Sequence, residues 1–207
     1  MITLRCTRKL LRRLGEAPEP DEREPTSSIG DWYANLIETV AGEQLIFVNE
    51  ASRLSVALPA STPPGALAGR FRMRVIALFR HLDLPAEAVQ REAFHLGDVK
   101  FGRTRSRTIL GAMNEVARVY QLAAERGEPT GATEQSLAKF IHLPLKGRYP
   151  REVARDLLGG VVLEGDGDDG GPMPRRQGSA GERSPSDNQG VRFVLPAADA
   201  GEPWQDR

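Results

Sequence analysis

Eight consecutive residues hold the densest chemistry in this 207-residue chain: Lys100-Phe101-Gly102-Arg103-Thr104-Arg105-Ser106-Arg107 sets four cations beside one aromatic ring. In an extended run side chains alternate, so Arg103, Arg105 and Arg107 would project to one side with Phe101, a geometry suited to phosphates with a base stacked on the ring. The run also precedes a helix expected to start at Ser106 or Thr108. A helix N-terminus favours anions, so three arginines there are locally unfavourable unless something negative stands among them. An internal carboxylate such as Glu50, Asp31 or Asp98 is the plainer source of that charge, because charge runs are more often solvated or internally paired than ligand-binding.

Six further residues are candidates to join these cations in a polar pocket: Asp31, Tyr33, Asn35, Asn49, Glu50 and Asn114. With Lys100, Arg103, Arg105 and Arg107 they offer carboxylates for acid/base work, amides and a phenol for hydrogen bonding, and guanidinium groups to clamp an anion. Each has a plainer use as well. Buried amides are normally paired within the fold, and Asp31 suits the cap of a turn. Gly111 and Asn114 occupy early positions of a helix, where both are poor by propensity. Glycine there points to close approach of another backbone, and asparagine to an amide with a buried or ligand-facing task.

The familiar catalytic signatures are missing. His81, His95 and His142 have no second ligand at metal spacing, so neither a metal site nor a cofactor is expected. Gly165-Asp166-Gly167-Asp168-Asp169-Gly170 matches a dinucleotide fingerprint letter by letter, yet its three aspartates would repel a pyrophosphate. The single cysteine, Cys6, excludes an internal disulfide and fits a reducing cytoplasm. Two function classes remain. The preferred one is a cytoplasmic binding or regulatory module that engages an anionic partner, nucleic acid or an acidic protein, through the arginine segment and through Arg8, Arg12 and Arg13. The alternative is an enzyme acting on a phosphorylated or otherwise anionic small molecule, with Asp31 or Glu50 as acid/base. The first is preferred because no acid/base constellation is spelled out.

The elements that must position these residues can be read from pattern. Ile2 to Cys6 reads as a strand, and Thr7 is a good N-cap for a helix from Arg8 to Leu14 that Gly15 stops. A Pro-containing loop follows to Ser28. Trp32 to Val40, Leu45 to Glu50 and Leu54 to Leu58 read as a three-stranded meander. Leu45, Ile46, Phe47, Val48, Leu54, Val56 and Leu58 are apolar at successive positions, which implies that both faces of this sheet are covered. The second hairpin has two registers: a three-residue loop opposes Glu50 to Leu54, a four-residue loop opposes Asn49 to Leu54, and the choice decides which polar residue shares the face of Leu54. Leu67, Phe71, Val75, Leu78 and Leu82 mark a helix, Pro85 opens a shorter one to about Phe94, and Gly97 to Phe101 reads as a strand or extended segment. Ile109, Met113, Val116, Tyr120 and Ala123 mark a long helix ending near Gly127. Short helices are expected around Thr133 to Ile141 and Arg151 to Leu158.

The fold class is therefore α+β: a small, mostly antiparallel sheet, the N-terminal strand plus the meander, packed with about five helices. Residues 1–158 read as one globular domain, large enough for a stable core without disulfides or metals. Residues 159–207, rich in Gly, Asp, Pro and Ser, read as a disordered tail. The tail carries five arginines and nine acids, which leaves it net negative by four and the body net positive by four. No stretch is apolar enough for a membrane span, so no membrane contact is expected. Four phrases in order, Ile2-Thr3-Leu4-Arg5-Cys6-Thr7-Arg8-Lys9-Leu10-Leu11, Gly30-Asp31-Trp32-Tyr33-Ala34-Asn35-Leu36, Phe47-Val48-Asn49-Glu50 with Leu54-Ser55-Val56-Ala57-Leu58-Pro59, and Gly111-Ala112-Met113-Asn114-Glu115, carry a family likeness. On them the chain resembles a bacterial family known as a domain of unknown function, over about residues 1 to 155. That resemblance implies no activity.

Overall fold

A computed structural model describes residues 1–19, 25–140 and 145–159. All of them fall within one compact unit, Met1–Leu163. The expectations for the tail, apart from Gly159, and for His142 lie outside the described residues.

Local signals set the first elements. The strand β1 (Ile2–Cys6) gives way at Thr7, whose hydroxyl accepts from the Leu10 backbone N–H and starts helix α1 (Arg8–Leu14). Gly15 ends the helix in the left-handed region at φ 71°, its N–H returning to the Leu11 carbonyl. The meander follows as β2 (Trp32–Thr39), β3 (Gly42–Asn49) and β4 (Ser55–Pro59). β3 begins earlier than its apolar run because Gly42, Glu43 and Gln44 pair with Thr39, Glu38 and Ile37 across a two-residue turn. Helices α2 (Pro64–His81) and α3 (Ala86–His95) lead to β5 (Val99–Arg103). Helices α4 (Arg107–Glu125), α5 (Thr130–Ala138) and α6 (Pro150–Gly159) complete the unit.

The fold is α+β, but the sheet is mixed rather than mostly antiparallel. Its strand order is β4-β3-β2-β1-β5, with β1 parallel to both β2 and β5 and the meander antiparallel. The cause lies in the connections. A strand that returns through a helix and a long segment re-enters at the same end of the sheet and pairs in parallel, whereas the two tight turns of the meander can only reverse the chain. The described residues hold six helices where about five were expected.

Both sheet faces are covered, as the double-sided apolar strands require. On the first face Ile2, Leu4, Cys6, Trp32, Phe47, Leu54 and Val56 pack with α1, α2, α3 and α6. Phe71 of α2 meets the Trp32 ring edge-on at 5.3 Å and the Phe47 ring at 4.7 Å, which seats that helix on the sheet. On the second face Tyr33, Ile37, Ile46, Val48 and Ala57 pack against Ile109, Met113, Val116 and Tyr120 of α4 and Leu137 of α5. The β3–β4 hairpin takes the longer loop: Val48 pairs with Ser55, and the Asn49 N–H donates to the Leu54 carbonyl at 2.8 Å. Asn49 is thus fully buried at the strand end, while Glu50 turns toward the second face.

Candidate functional site

The apolar cover of the second face stops short of one end of the sheet, and charged groups take over there. Strand alternation puts Thr3 and Arg5 opposite to Ile2, Leu4 and Cys6, so β1 contributes a guanidinium to this face. Arg5 and Asp31 are both fully buried. Arg5 donates to Asp31 Oδ2 from Nε at 2.8 Å and approaches it with Nη2 at 2.7 Å, while Asp31 Oδ1 accepts from the Thr3 N–H at 2.9 Å. Hydrogen bonds of this length to ionised groups are strong, and the carboxylate is well satisfied.

Tyr33 stands beside Arg5 across the β1–β2 ladder. Its hydroxyl donates to Glu50 Oε1 at 3.4 Å, and Glu50 Oε2 lies 3.8 Å from Nη2 of Arg105. Burial and then the Glu50 carboxylate push the Tyr33 pKa up, against the pull of Arg5 and of a hydrogen bond from Arg105. Arg53 closes the group from the turn before β4. It is 9% exposed, its backbone lies in the left-handed region at φ 64°, and its Nε and Nη1 are buried without a hydrogen-bond partner among the described residues. Burial lowers its pKa, and the charges of Glu50 and Tyr33 oppose that shift. Three arginines, two carboxylates and a phenol thus converge on one end of the sheet.

Asn49 builds the turn that presents Glu50 and Arg53. Its Oδ1 accepts from the Ser52 N–H and hydroxyl, both at 2.8 Å, and from the Ala51 N–H at 3.2 Å. Its amide donates to the carbonyls of Ile29 at 3.0 Å and Asp31 at 3.2 Å. The side chain is thereby saturated by the fold, the plainer of the two uses expected for it.

A family model described as a domain of unknown function, DUF6933, matches residues 3–153. The chain belongs to this family. The match takes in Arg5, Asp31, Tyr33, Glu50, Arg53 and Arg105, so the whole cluster is part of the DUF6933 domain. No curated protein and no solved structure matches the chain.

The DUF6933 domain gathers some of the sequence candidates and disperses others. Asp31, Tyr33, Glu50 and Arg105 meet in the cluster, with Asn49 beneath them. Asn35 accepts from the Thr7 hydroxyl at 2.9 Å and from the Leu36 N–H at 2.9 Å. Lys100 pairs with Glu19. Arg103 ends β5, Arg105 lies in the following loop, and Arg107 opens α4 behind the Ser106 cap, so the run is divided among three elements. Phe101 packs on the first face, against the core around β1. Gly111 and Asn114 are exposed on α4, and among the described residues a Cβ at Gly111 would meet nothing within 4 Å, so none of their backbone approaches there.

Arg5, Arg53 and Gly102 were not among the sequence candidates. Alternation within β1 was a usable signal for Arg5. Gly102 lies opposite Arg5 on β5, and a Cβ there would stand 2.7 Å from Thr3 Cγ2 and 3.8 Å from Arg5 Nη1. The missing side chain makes the room in which the Thr3 methyl lies beside Arg5, a close approach of the kind that glycine inside a strand marks. Gly102→Ala is expected to displace Thr3 and cost about 1 kcal/mol in a urea titration.

A second buried ionic group lies at the β4 edge. Glu134 of α5 accepts from the Ala57 N–H at 2.9 Å and from Arg74 Nε at 2.9 Å. β4 is an edge strand, so this carboxylate occupies a position where another chain would otherwise pair. Cys6 is buried, its thiol pushed up to about 12 by burial and then by Glu16, which makes it a poor nucleophile. Among the described residues no group of three or more His, Cys, Asp or Glu could hold a metal ion, and no helix is long and apolar enough to cross a membrane.

Proposed function

We propose that this domain is a cytoplasmic binding module for an anionic partner, one of whose carboxylate or phosphate groups lodges among Arg53, Arg105 and Tyr33. The observation that carries the reading is Arg53, a nearly buried guanidinium whose Nε and Nη1 have no hydrogen-bond partner among the described residues. Leaving such donors unpaired costs about 1–3 kcal/mol, and an oxyanion relieves that cost. A compact anionic group, on an acidic protein or a small molecule, suits this site better than a nucleic-acid backbone. A strand of phosphates needs cations aligned along a surface, whereas Arg103, Arg105 and Arg107 are divided among strand, loop and helix. The single cysteine, unable to form an internal disulfide, supports a cytoplasmic location.

Scanning fluorimetry of the full chain tests the reading with inorganic phosphate, acetate, an acidic peptide and a single-stranded oligonucleotide. A ligand at about 100 times its Kd adds about 2.7 kcal/mol to stability, so saturating phosphate or acidic peptide should raise Tm by several degrees. A response to the oligonucleotide that vanishes when Arg103 and Arg107 become Ala, with none to the compact anions, would replace this reading with a nucleic-acid module.

A second reading, an enzyme that takes the same anionic group on its substrate, rests on the Tyr33 hydroxyl donating to Glu50, an arrangement suited to acid/base work. In that case Glu50→Gln abolishes turnover and leaves anion binding in place.

A further inference from the structure

We infer that Glu50 is an internal occupant of the anion site, a carboxylate that holds the place of the partner's group and is displaced when that group arrives. The inference rests on the anion-binding reading above and adds how the site is regulated. Two ion pairs in one cluster differ in kind. The Arg5–Asp31 pair is fully buried, close at 2.7 Å, and further tied to the Thr3 N–H. The Arg105–Glu50 pair is open, its side chains 50% and 31% exposed, and at 3.8 Å it is beyond hydrogen-bond length.

Backbone geometry separates the fixed part of Glu50 from the movable part. Its N–H donates to the Asp31 carbonyl at 2.9 Å, and the saturated Asn49 side chain holds the turn behind it. Among the described residues the carboxylate meets a long hydrogen bond from Tyr33 at 3.4 Å and the Arg105 guanidinium at 3.8 Å. Releasing an exposed pair of this kind costs little, about 0–1 kcal/mol. An incoming carboxylate or phosphate gains the same cations together with the unpaired N–H groups of Arg53, which Glu50 influences electrostatically without hydrogen-bonding them. Glu50 thus keeps the arginines from repelling one another in the empty protein and sets a threshold that weak anions fail to pass.

Calorimetric titration of the full chain with inorganic phosphate and with acetate tests this, using wild type, Glu50→Gln and Glu50→Asp. Removing one charge a few ångströms from the binding cations should tighten anion binding about tenfold in Glu50→Gln, while Glu50→Asp stays near wild type. Binding seen in Glu50→Gln alone also supports the inference, as an occupant strong enough to exclude the probe. If wild type binds and Glu50→Gln binds equally or more weakly, Glu50 is not a competitor and the inference falls while the anion reading stands. If no variant binds either probe, both fall. Acetate and phosphate as separate arms show which oxyanion the site takes.

Discussion

Arg53→Met is expected to yield a protein that is more stable and no longer responds to anions. The arginine stem is buried, so a shortened side chain would lose packing; methionine is unbranched and fills the same path. What it removes is the charged head with its buried Nε and Nη1, neither of which has a partner among the described residues. The gain should be about 1–2 kcal/mol, which for a domain of this size raises Tm by about 3–6 °C. Backbone strain at φ 64° is common to both proteins and cancels in the comparison. Glu50 loses a neighbouring cation, but it is partly exposed and keeps its hydration. The same variant should lose the Tm rise that phosphate gives the wild type. Stability gained together with binding lost is the mark of a residue kept for function at the expense of the fold. A variant that is less stable and still responds to phosphate would show Arg53 to be structural.

How far the sequence reached depends on the distance over which each decision is made. Thr7 and Gly15 delimit α1 because capping is decided within four residues, and the meander was visible because its strands adjoin in sequence. The insertion of β1 between β2 and β5 was not visible. It depends on the pairing of Ile2 with Val99, and nothing near either residue announces its partner. The hairpin register stayed open for a related reason: Asn49 selects it through hydrogen bonds to Ile29 and Asp31, far back in the chain. For the candidate site the sequence supplied Asp31, Tyr33, Glu50 and Arg105 but grouped them with Asn114. Helical phase sets that residue on another side of α4, since Ile109, Met113, Val116 and Tyr120 define the buried stripe and Asn114 falls well off it. Arg53 had no local signal at all, because its left-handed backbone and its unpaired donors exist only once the turn is folded.

Glu134 should make the domain lose stability as the pH rises from about 5 to 8. Burial pushes its carboxyl up to about 7, against the opposing effects of Arg74 from α2 and of the Ala57 N–H from β4. Tyr120 faces the same carboxylate from α4, and burial followed by that charge holds its phenol well above the usual range. Because the folded pKa is raised above the unfolded value of about 4.5, the folded state binds more protons between the two, and stability falls as pH climbs. A shift of this size corresponds to about 3 kcal/mol, all of it present below the unfolded pKa and lost once the pH passes the folded one. Glu134→Gln keeps an acceptor for the Ala57 N–H and carries no proton to lose. Urea unfolding of both proteins at several pH values isolates the group, because every other titrating residue contributes alike to the two curves. Wild type should fall relative to the variant across that window. A constant difference would mean that Arg74 keeps the carboxylate ionised throughout, and that the closure of the β4 edge between α2 and α5 rests on a permanent ion pair instead of a proton.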